Sequence, residues 1–150
     1  MQPRTESPAQ GDLSELFHRA FRALRHSWVE QLAPFELTPH QFRAMQALAR
    51  TSLDSPGGEG LRLKDVAERL HIAPRSATEV MDQLEAKSLV QRAADPVDRR
   101  ATLVKLTPEG QKLSDRVRAA RRGHTEQYFG RLNANDRAEL ARILAQLGPM

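Results

Sequence analysis

Apolar residues recur every three or four positions through most of the chain, a pattern that predicts a mainly helical protein. Long helices are predicted over residues 12–33, 39–50 and 108–132, and a last helix is predicted to begin at Asn133. Capping side chains or first-turn prolines precede most of these starts, which supports them independently of the apolar spacing. Thr38 and Gln41 are predicted to form a capping box at the start of the second helix. Two shorter helices in the middle of the chain bring the expected number to about six.

The two short helices are predicted on either side of His71. The turn between them needs a residue that tolerates a positive φ, and histidine enters that region more readily than most residues other than glycine. Pro74 suits the first position of the second helix, where its missing N–H costs nothing. The apolar residues on the two sides keep helical spacing: Val66, Ala67 and Leu70, then Ala77, Val80, Met81 and Leu84. This arrangement is typical of a helix-turn-helix.

The apolar spacing changes after this pair of helices. Residues 89–92 and 102–106 are predicted to form two strands around a tip, residues 93–100, that is rich in Asp, Pro and Arg. A short strand at Leu61 and Leu63 is predicted to pair with this hairpin. Residues 61–107 are therefore expected to form a winged helix, and the fold class is mainly α with a small β-hairpin wing.

Composition narrows the possible functions. The chain has 150 residues, no cysteine and a formal net charge of +4. This length suits one domain, expected over residues 12–150, and the absence of cysteine excludes disulfides, thiolate ligands and thiol switches. Residues 1–11 are polar, lack the apolar core of a signal peptide and are predicted to be a disordered leader. With no apolar run long enough to span a membrane, the protein is expected in the cytoplasm.

Charge is distributed unevenly. Residues 75–105 contain six basic and five acidic residues, whereas residues 112–122 contain five basic residues and one acidic residue. A polyanionic partner is compatible with this surplus, although so modest a net charge does not establish one.

The segment from Val66 to Gly110 reads VAERLHIAPRSATEVMDQLEAKSLVQRAADPVDRRATLVKLTPEG. It resembles the MarR family of bacterial transcription regulators, whose members follow LA..L.(I/L)S...T..V..LE.(K/R)GLV.R..D..DRR...V.LT..G. The resemblance covers about the central third of the chain, and the flanking helices agree in order and length. Three positions depart from the pattern: Ser88 replaces the usual Gly, Ala73 the usual capping Ser, and Glu79 a common basic residue.

The outer helices are expected to form a homodimer. The first helix is longer than one small winged helix needs for its core, and the last helix carries an apolar stripe with little of its own domain to cover: Leu140, Ile143, Leu144 and Leu147. A two-fold pair of chains would cover both surfaces. The resemblance likewise implies an intertwined helical dimerisation region formed by residues 12–33 and 108–150.

Double-stranded DNA is the expected partner. With its apolar residues buried, the second helix of the helix-turn-helix would present five side chains outward: Arg75, Ser76, Thr78, Glu79 and Asp82. The first four would face the major groove, with Arg75 reading a guanine. Glu79 is either a specificity element that accepts from a cytosine N4 or a tolerated surface charge, and both interpretations remain open.

The wing supplies the second set of DNA contacts. By the resemblance, Arg100 would enter the minor groove, Asp98 would hold its guanidinium and Arg99 would meet a phosphate. Arg92 and Lys105, at the base of the wing, are lesser candidates for phosphate contacts.

A small aromatic or phenolic effector is also implied by the resemblance. It would occupy a cleft between the dimerisation helices and the winged helix, where five side chains are expected: Trp28, Phe35, His40, Phe42 and Met45. The same side chains are equally suited to an ordinary hydrophobic core.

Two other functional classes compete with this interpretation. An enzyme is disfavoured, because the chain has no nucleophile elbow, phosphate-binding glycine loop or metal-ligand spacing, and no cofactor or metal is predicted. His18 and His26 lie about two helical turns apart, but solvated histidines explain them better than a metal site. The other alternative is a winged helix that docks a protein rather than a DNA groove, which salt-sensitive binding to DNA would discriminate.

Overall fold

The structure, a computed structural model, describes residues 12–54 and 60–148. The predicted leader, residues 1–11, lies outside the described residues. In chain order the elements are α1 (Leu13–Leu32), a 3-10 turn (Ala33–Phe35), α2 (Pro39–Asp54), β1 (Leu61–Arg62), α3 (Leu63–Leu70), α4 (Pro74–Ala86), β2 (Val90–Ala94), β3 (Thr102–Leu106), α5 (Pro108–Phe129) and α6 (Ala134–Gln146). The predicted class, mainly α with a small wing, is confirmed.

Some element boundaries differ from the prediction. Helix α2 continues through Asp54 rather than ending near residue 50, and α5 ends at Phe129 rather than near residue 132. Strand β2 begins at Val90, because the N–H of Leu89 donates to the Leu84 carbonyl and the Leu89 carbonyl accepts from Thr107. Leu89 therefore belongs to the connection between α4 and the wing.

The described chain forms two compact units. The winged-helix unit comprises residues 31–54 and 60–121, and the helical unit comprises residues 12–30 and 122–148. Because α2 and the first part of α5 pack with the winged helix, this unit is larger than the predicted residues 61–107.

A hydrophobic core fills the winged-helix unit. Helices α2, α3, α4 and α5 and the sheet all contribute fully buried side chains, among them Phe42, Met45, Leu48, Val66, Met81, Leu84, Val90, Val104 and Val117. Every apolar position predicted to face inward in the helix-turn-helix is buried. The spacing of apolar residues therefore correctly predicted the buried side of both short helices.

The wing is part of a three-stranded antiparallel sheet with the strand order β1-β3-β2. Leu61 pairs with Val104 across β1 and β3, and Val90 pairs with Leu106 across β2 and β3. The predicted pairing of a short strand at Leu61 with the wing is confirmed, but the strand ends at Arg62, and Leu63 is the first residue of α3.

Local sequence chemistry explains how the helices begin and end. Thr38 and Gln41 form a reciprocal capping box at the start of α2, in which the Thr38 N–H donates to Gln41 Oε1 at 3.1 Å and the Gln41 N–H donates to Thr38 Oγ1 at 3.2 Å. His71 ends α3 with φ 54°, in the predicted left-handed region. Asn133 caps α6 by accepting from the Asp136 N–H at 2.8 Å.

The start of α5 is fixed against the base of the wing. Thr107 donates its N–H to the Leu89 carbonyl at 3.0 Å and its hydroxyl to the Ser88 carbonyl at 2.7 Å. A Cβ on Gly110 would lie 2.0 Å from the Leu89 carbonyl oxygen, so only glycine fits at this close approach. The glycine of the LT..G pattern thus allows α5 to leave directly from the wing.

The helical unit is held together differently. Polar bonds link α1 to α5: Ser27 Oγ lies 2.6 Å from His124 Nε2, and the Tyr128 hydroxyl donates to the Ala20 carbonyl at 3.1 Å. A cavity of about 290 Å³ separates the end of α5 from α6, and its lining includes Phe129, Leu140 and Leu144. No helix of the described chain is long and apolar enough to cross a membrane.

Candidate nucleic-acid interface

One face of α4 is exposed throughout its length. Because Ala77, Val80, Met81 and Leu84 point into the core, the opposite face carries Arg75, Ser76, Thr78 and Glu79, which we call the reading face. Their predicted exposure is confirmed, whereas their contact with DNA stays a prediction.

The charged side chains of the reading face are free of hydrogen bonds and ion pairs to other groups in the part of the chain that the structure describes. Among the described residues, neither the Arg75 guanidinium nor the Glu79 carboxylate has a hydrogen-bond or ion-pair partner. The Thr78 hydroxyl donates to the Pro74 carbonyl at 3.1 Å, which leaves its oxygen lone pairs as acceptors. Helix α4 also begins without a side-chain cap at Ala73, so the first-turn N–H groups remain open to an anion.

The tip of the wing is anchored by a buried carboxylate. Asp95 is 5% exposed, and its Oδ2 accepts from Arg62 Nε at 3.0 Å and lies 2.7 Å from the second guanidinium nitrogen. Its Oδ1 accepts from the Val97 N–H at 2.9 Å, and its own N–H donates to the Ala101 carbonyl at 3.1 Å. The hydrogen bond from Val97, aided by Arg62, holds the pKa of Asp95 below its ordinary value, although burial acts in the opposite direction.

This anchor was not predicted from the sequence, since Arg62 and Asp95 are 33 positions apart. The Asp that the MarR pattern carries at this position is the one sign of it. Through this bond the edge strand β1 fixes the orientation of the loop that carries the wing arginines.

Asp98 is bonded to the backbone at the tip of the wing, and its predicted role towards the Arg100 guanidinium on DNA stays a prediction. It was expected to hold the Arg100 guanidinium, but in the structure its Oδ1 accepts from the Arg100 backbone N–H at 3.0 Å, and its carbonyl accepts from the Ala101 N–H at 2.9 Å. A short aspartate side chain bonds readily to the backbone two residues further on, and this closes the turn. The side chains of Arg99 and Arg100 are exposed and have no partner within the described residues.

The two basic residues at the base of the wing differ. Lys105 on β3 is exposed, and no partner occurs for it among the described residues. Arg92 on β2 is instead paired with α4: one guanidinium nitrogen lies 2.5 Å from Asp82 Oδ1, and its Nε lies 3.2 Å from Glu85 Oε2. The sequence predicted Asp82 to face outward but did not indicate this pairing.

The five residues predicted for an effector cleft fall in different environments. Phe42 and Met45 are fully buried in the winged-helix core, and His40 is exposed. The half-buried Phe35 ring has the Arg116 guanidinium carbon 5.5 Å from its centroid. Trp28, also half buried, belongs to the helical unit. Their role as effector contacts stays a prediction.

The histidines considered for a metal site have local partners. His18 Nδ1 lies 2.7 Å from the Ser14 carbonyl, and His26 Nε2 lies 3.7 Å from Glu30 Oε1. In the residues that the structure describes, no group of three or more side chains of the types that bind metals comes together.

The fold and this surface define a winged helix-turn-helix protein. A sequence model of the MarR family matches residues 37–102. The chain is 26% identical over 136 residues to the HTH-type transcriptional repressor MdtR of Bacillus subtilis. The aligned residues cover 91% of this chain and 83% of MdtR. The chain is 29% identical over 136 residues to the HTH-type transcriptional repressor Rv2887 of Mycobacterium tuberculosis, which covers 91% and 93% of the two chains. Over residues 37–102 the chain thus matches the MarR family.

Two solved structures of Rv2887 are similar to this one. Its complex with DNA matches with a TM-score of 0.74 at 25% identity, over 93% of this chain and 100% of that chain. Its complex with salicylic acid matches with a TM-score of 0.69 at 27% identity, over 93% and 98%.

Proposed function

We propose that this protein is a transcriptional regulator that binds a palindromic operator in double-stranded DNA as a homodimer. One observation carries this proposal: the reading face and the wing belong to the same compact unit. The charged side chains of the reading face have no partner within the described residues, and the wing has exposed arginines on a backbone anchored by Asp95. The DNA complex of Rv2887, a relative with the same fold, supports it.

The two parts of the surface suit different features of a duplex. The reading face has the width of one helix, which fits the major groove, and Arg75 can donate two hydrogen bonds to the O6 and N7 of a guanine. Arg100 at the wing tip suits a narrow minor groove, where negative potential is concentrated. Arg99 and Lys105 serve as phosphate contacts, and Ser76 and Thr78 as contacts to a base edge or a phosphate.

Homodimer formation is proposed from the surface of the helical unit. Phe17, Phe21 and Leu147 are exposed there, and an apolar cavity lies between α5 and α6. A second copy would cover these surfaces and place two α4 helices about 34 Å apart, one turn of the duplex. The operator would then share the two-fold symmetry of the protein.

Repression relieved by a small effector is the mode of regulation that we propose. MdtR and Rv2887 are both named repressors, and Rv2887 has been crystallised with salicylic acid. An aromatic acid that favours a spacing of the two α4 helices unsuited to the operator would lower DNA affinity in proportion to its preference for that state. The protein would act in the cytoplasm and would have no catalytic activity.

Selection of bound fragments from genomic DNA tests the proposal. A palindrome enriched by the purified protein is expected, with half-sites one helical turn apart. A pool without enrichment at low salt would favour the alternative of a protein-interaction module.

Arg100→Ala tests the wing on the selected operator. The change should weaken binding by about 1–3 kcal/mol and make the dependence of log affinity on log salt shallower by about one unit. Arg19→Ala, which removes an exposed arginine of the helical unit, is the matched control. If fluorescence anisotropy shows the same affinity and slope for both variants, the wing has no part in binding.

A further inference from the structure

Arg92 differs from the other basic side chains assigned to DNA. Arg75, Arg99, Arg100 and Lys105 have no partner within the described residues, whereas Arg92 contacts two carboxylates of α4. It is also the least exposed of the five, with 28% of its side chain accessible. Its Nε lies beside Glu85 without hydrogen-bond alignment, so the bond to Asp82 is the better formed of the two. We call Asp82, Glu85 and Arg92 the Arg92 cluster.

The charge of this cluster is unfavourable for contact with a polyanion. Two carboxylates against one guanidinium leave a net negative charge beside the reading face, and Glu79 precedes Asp82 by about one helical turn. If Arg92 turned to a phosphate, it would leave both carboxylates unpaired and close to the DNA backbone. These carboxylates would repel the phosphates, and the exposed ion pair, which contributes modestly, would be lost. Both effects favour the position of the guanidinium beside α4.

We propose that Asp82 and Glu85 withhold Arg92 from the DNA backbone and so limit the charge-driven, sequence-independent part of DNA binding. This inference depends on the proposed function. Sequence-independent binding comes almost entirely from cations placed against phosphates, so each withheld cation lowers it directly. Recognition is left to Arg75 and the wing arginines, whose contacts require the correct groove.

The opposite role for the two acids predicts the opposite result. If Asp82 and Glu85 oriented Arg92 towards a phosphate, their removal would weaken DNA binding. If they withhold it, their removal strengthens binding and adds one cation to the interface. The sign of the change therefore decides between the two roles.

The experiment compares wild type with Asp82→Asn/Glu85→Gln on a duplex that lacks the operator, over a range of salt concentrations. One additional phosphate contact should increase affinity about eightfold near 0.1 M salt and make the salt slope steeper by about one unit. The single variant Asp82→Asn, which removes the shorter contact, should give part of this gain. Circular dichroism verifies that each variant is folded.

Two controls separate release of Arg92 from a general change in charge. Glu109→Gln/Asp115→Asn removes two exposed carboxylates from α5 and should leave the salt slope close to that of the wild type. Adding Arg92→Ala to the Asp82→Asn/Glu85→Gln variant should abolish the steeper slope.

The inference is overturned if the double variant binds no more tightly than the wild type, or if its steeper slope persists without Arg92. In either case the wild type still binds its selected operator, and the proposed function stands. A wild type that binds neither duplex removes both proposals.

Discussion

The two units of this chain use apolar residues in opposite ways. In the described part of the chain, every fully buried apolar side chain belongs to the winged-helix unit. Among the large apolar side chains that the structure describes as exposed, only Val97 belongs to that unit, and the rest lie on α1, on α6 or at Leu147, which directly follows α6. Similar amphipathic patterns therefore have two uses, a core within one chain and a surface suited to a second copy.

The polar contacts follow the same division. In the winged-helix unit they fix loops and helix ends around an existing core, as Asp95 does for the wing. In the helical unit the bonds from Ser27 to His124 and from Tyr128 to Ala20 join two helices that share little buried apolar surface. Such bonds contribute about 1 kcal/mol each, so we expect burial against a partner to supply most of the stability there.

Loss of a core side chain in the winged-helix unit should have the largest effect. Phe42 is 1% exposed, and Phe42→Ala is expected to lower the free energy of unfolding by about 3–5 kcal/mol, because a cavity remains where the ring was. Urea denaturation of the full chain measures this loss, which should be the same at low and high protein concentration. A loss below about 1 kcal/mol would mean that this unit does not depend on its own core.

Loss of an exposed ring in the helical unit should act on association instead. Phe21 is 52% exposed, and Phe17 is exposed one turn earlier on α1. Full burial of such a ring contributes about 1.5–3 kcal/mol, and about half of each ring is already covered in the single chain. Each variant removes the ring from both copies, so Phe17→Ala and Phe21→Ala should each weaken the dimer by roughly 10- to 100-fold, as measured by sedimentation equilibrium.

Val97→Ala provides the matched control for these two variants. It shortens an exposed apolar side chain of the winged-helix unit and should leave the dimer dissociation constant unchanged. Equal dissociation constants for all three variants and the wild type would disprove the proposed use of the helical unit.

The sequence predicted those parts of the fold that depend on local chemistry. The left-handed turn at His71, the capping box of Thr38 and Gln41 and the buried side of α4 each follow from residues a few positions apart, and all three are confirmed. Short-range rules of this kind need no knowledge of the tertiary structure. The end of α2 was predicted too early. The mainly polar residues after Arg50 extend the helix to Asp54, because its earlier residues are held by packing in the core.

The charged contacts around the candidate site could not be predicted in the same way. Arg62 meets Asp95, and Arg92 meets Asp82, only after the wing has folded against β1 and α4. Several acids and bases of this segment offer equally plausible partners, so sequence spacing does not choose among them. Exposure of the reading face was predictable from the sequence. The ion pair of Arg92 with Asp82, which distinguishes Arg92 from Arg100, depends on the tertiary structure.

The smallest predicted effect concerns a single backbone angle. Ser88, which follows α4, has φ 59°, where a side chain costs about 1–2 kcal/mol relative to the right-handed region. Glycine has no such cost but loses more freedom on folding, so Ser88→Gly is expected to raise the free energy of unfolding by roughly 0.5–1 kcal/mol.

Ala86→Gly, at the right-handed end of α4, should change stability by a similar amount in the opposite direction. Neither change touches the helical unit, so the dimer dissociation constant should remain that of the wild type. Urea denaturation of both variants measures the two shifts. If Ser88→Gly were as destabilising as Ala86→Gly, the left-handed angle would not be strained, and the hydrogen bond from Thr107 to the Ser88 carbonyl would be what keeps the connection in this conformation.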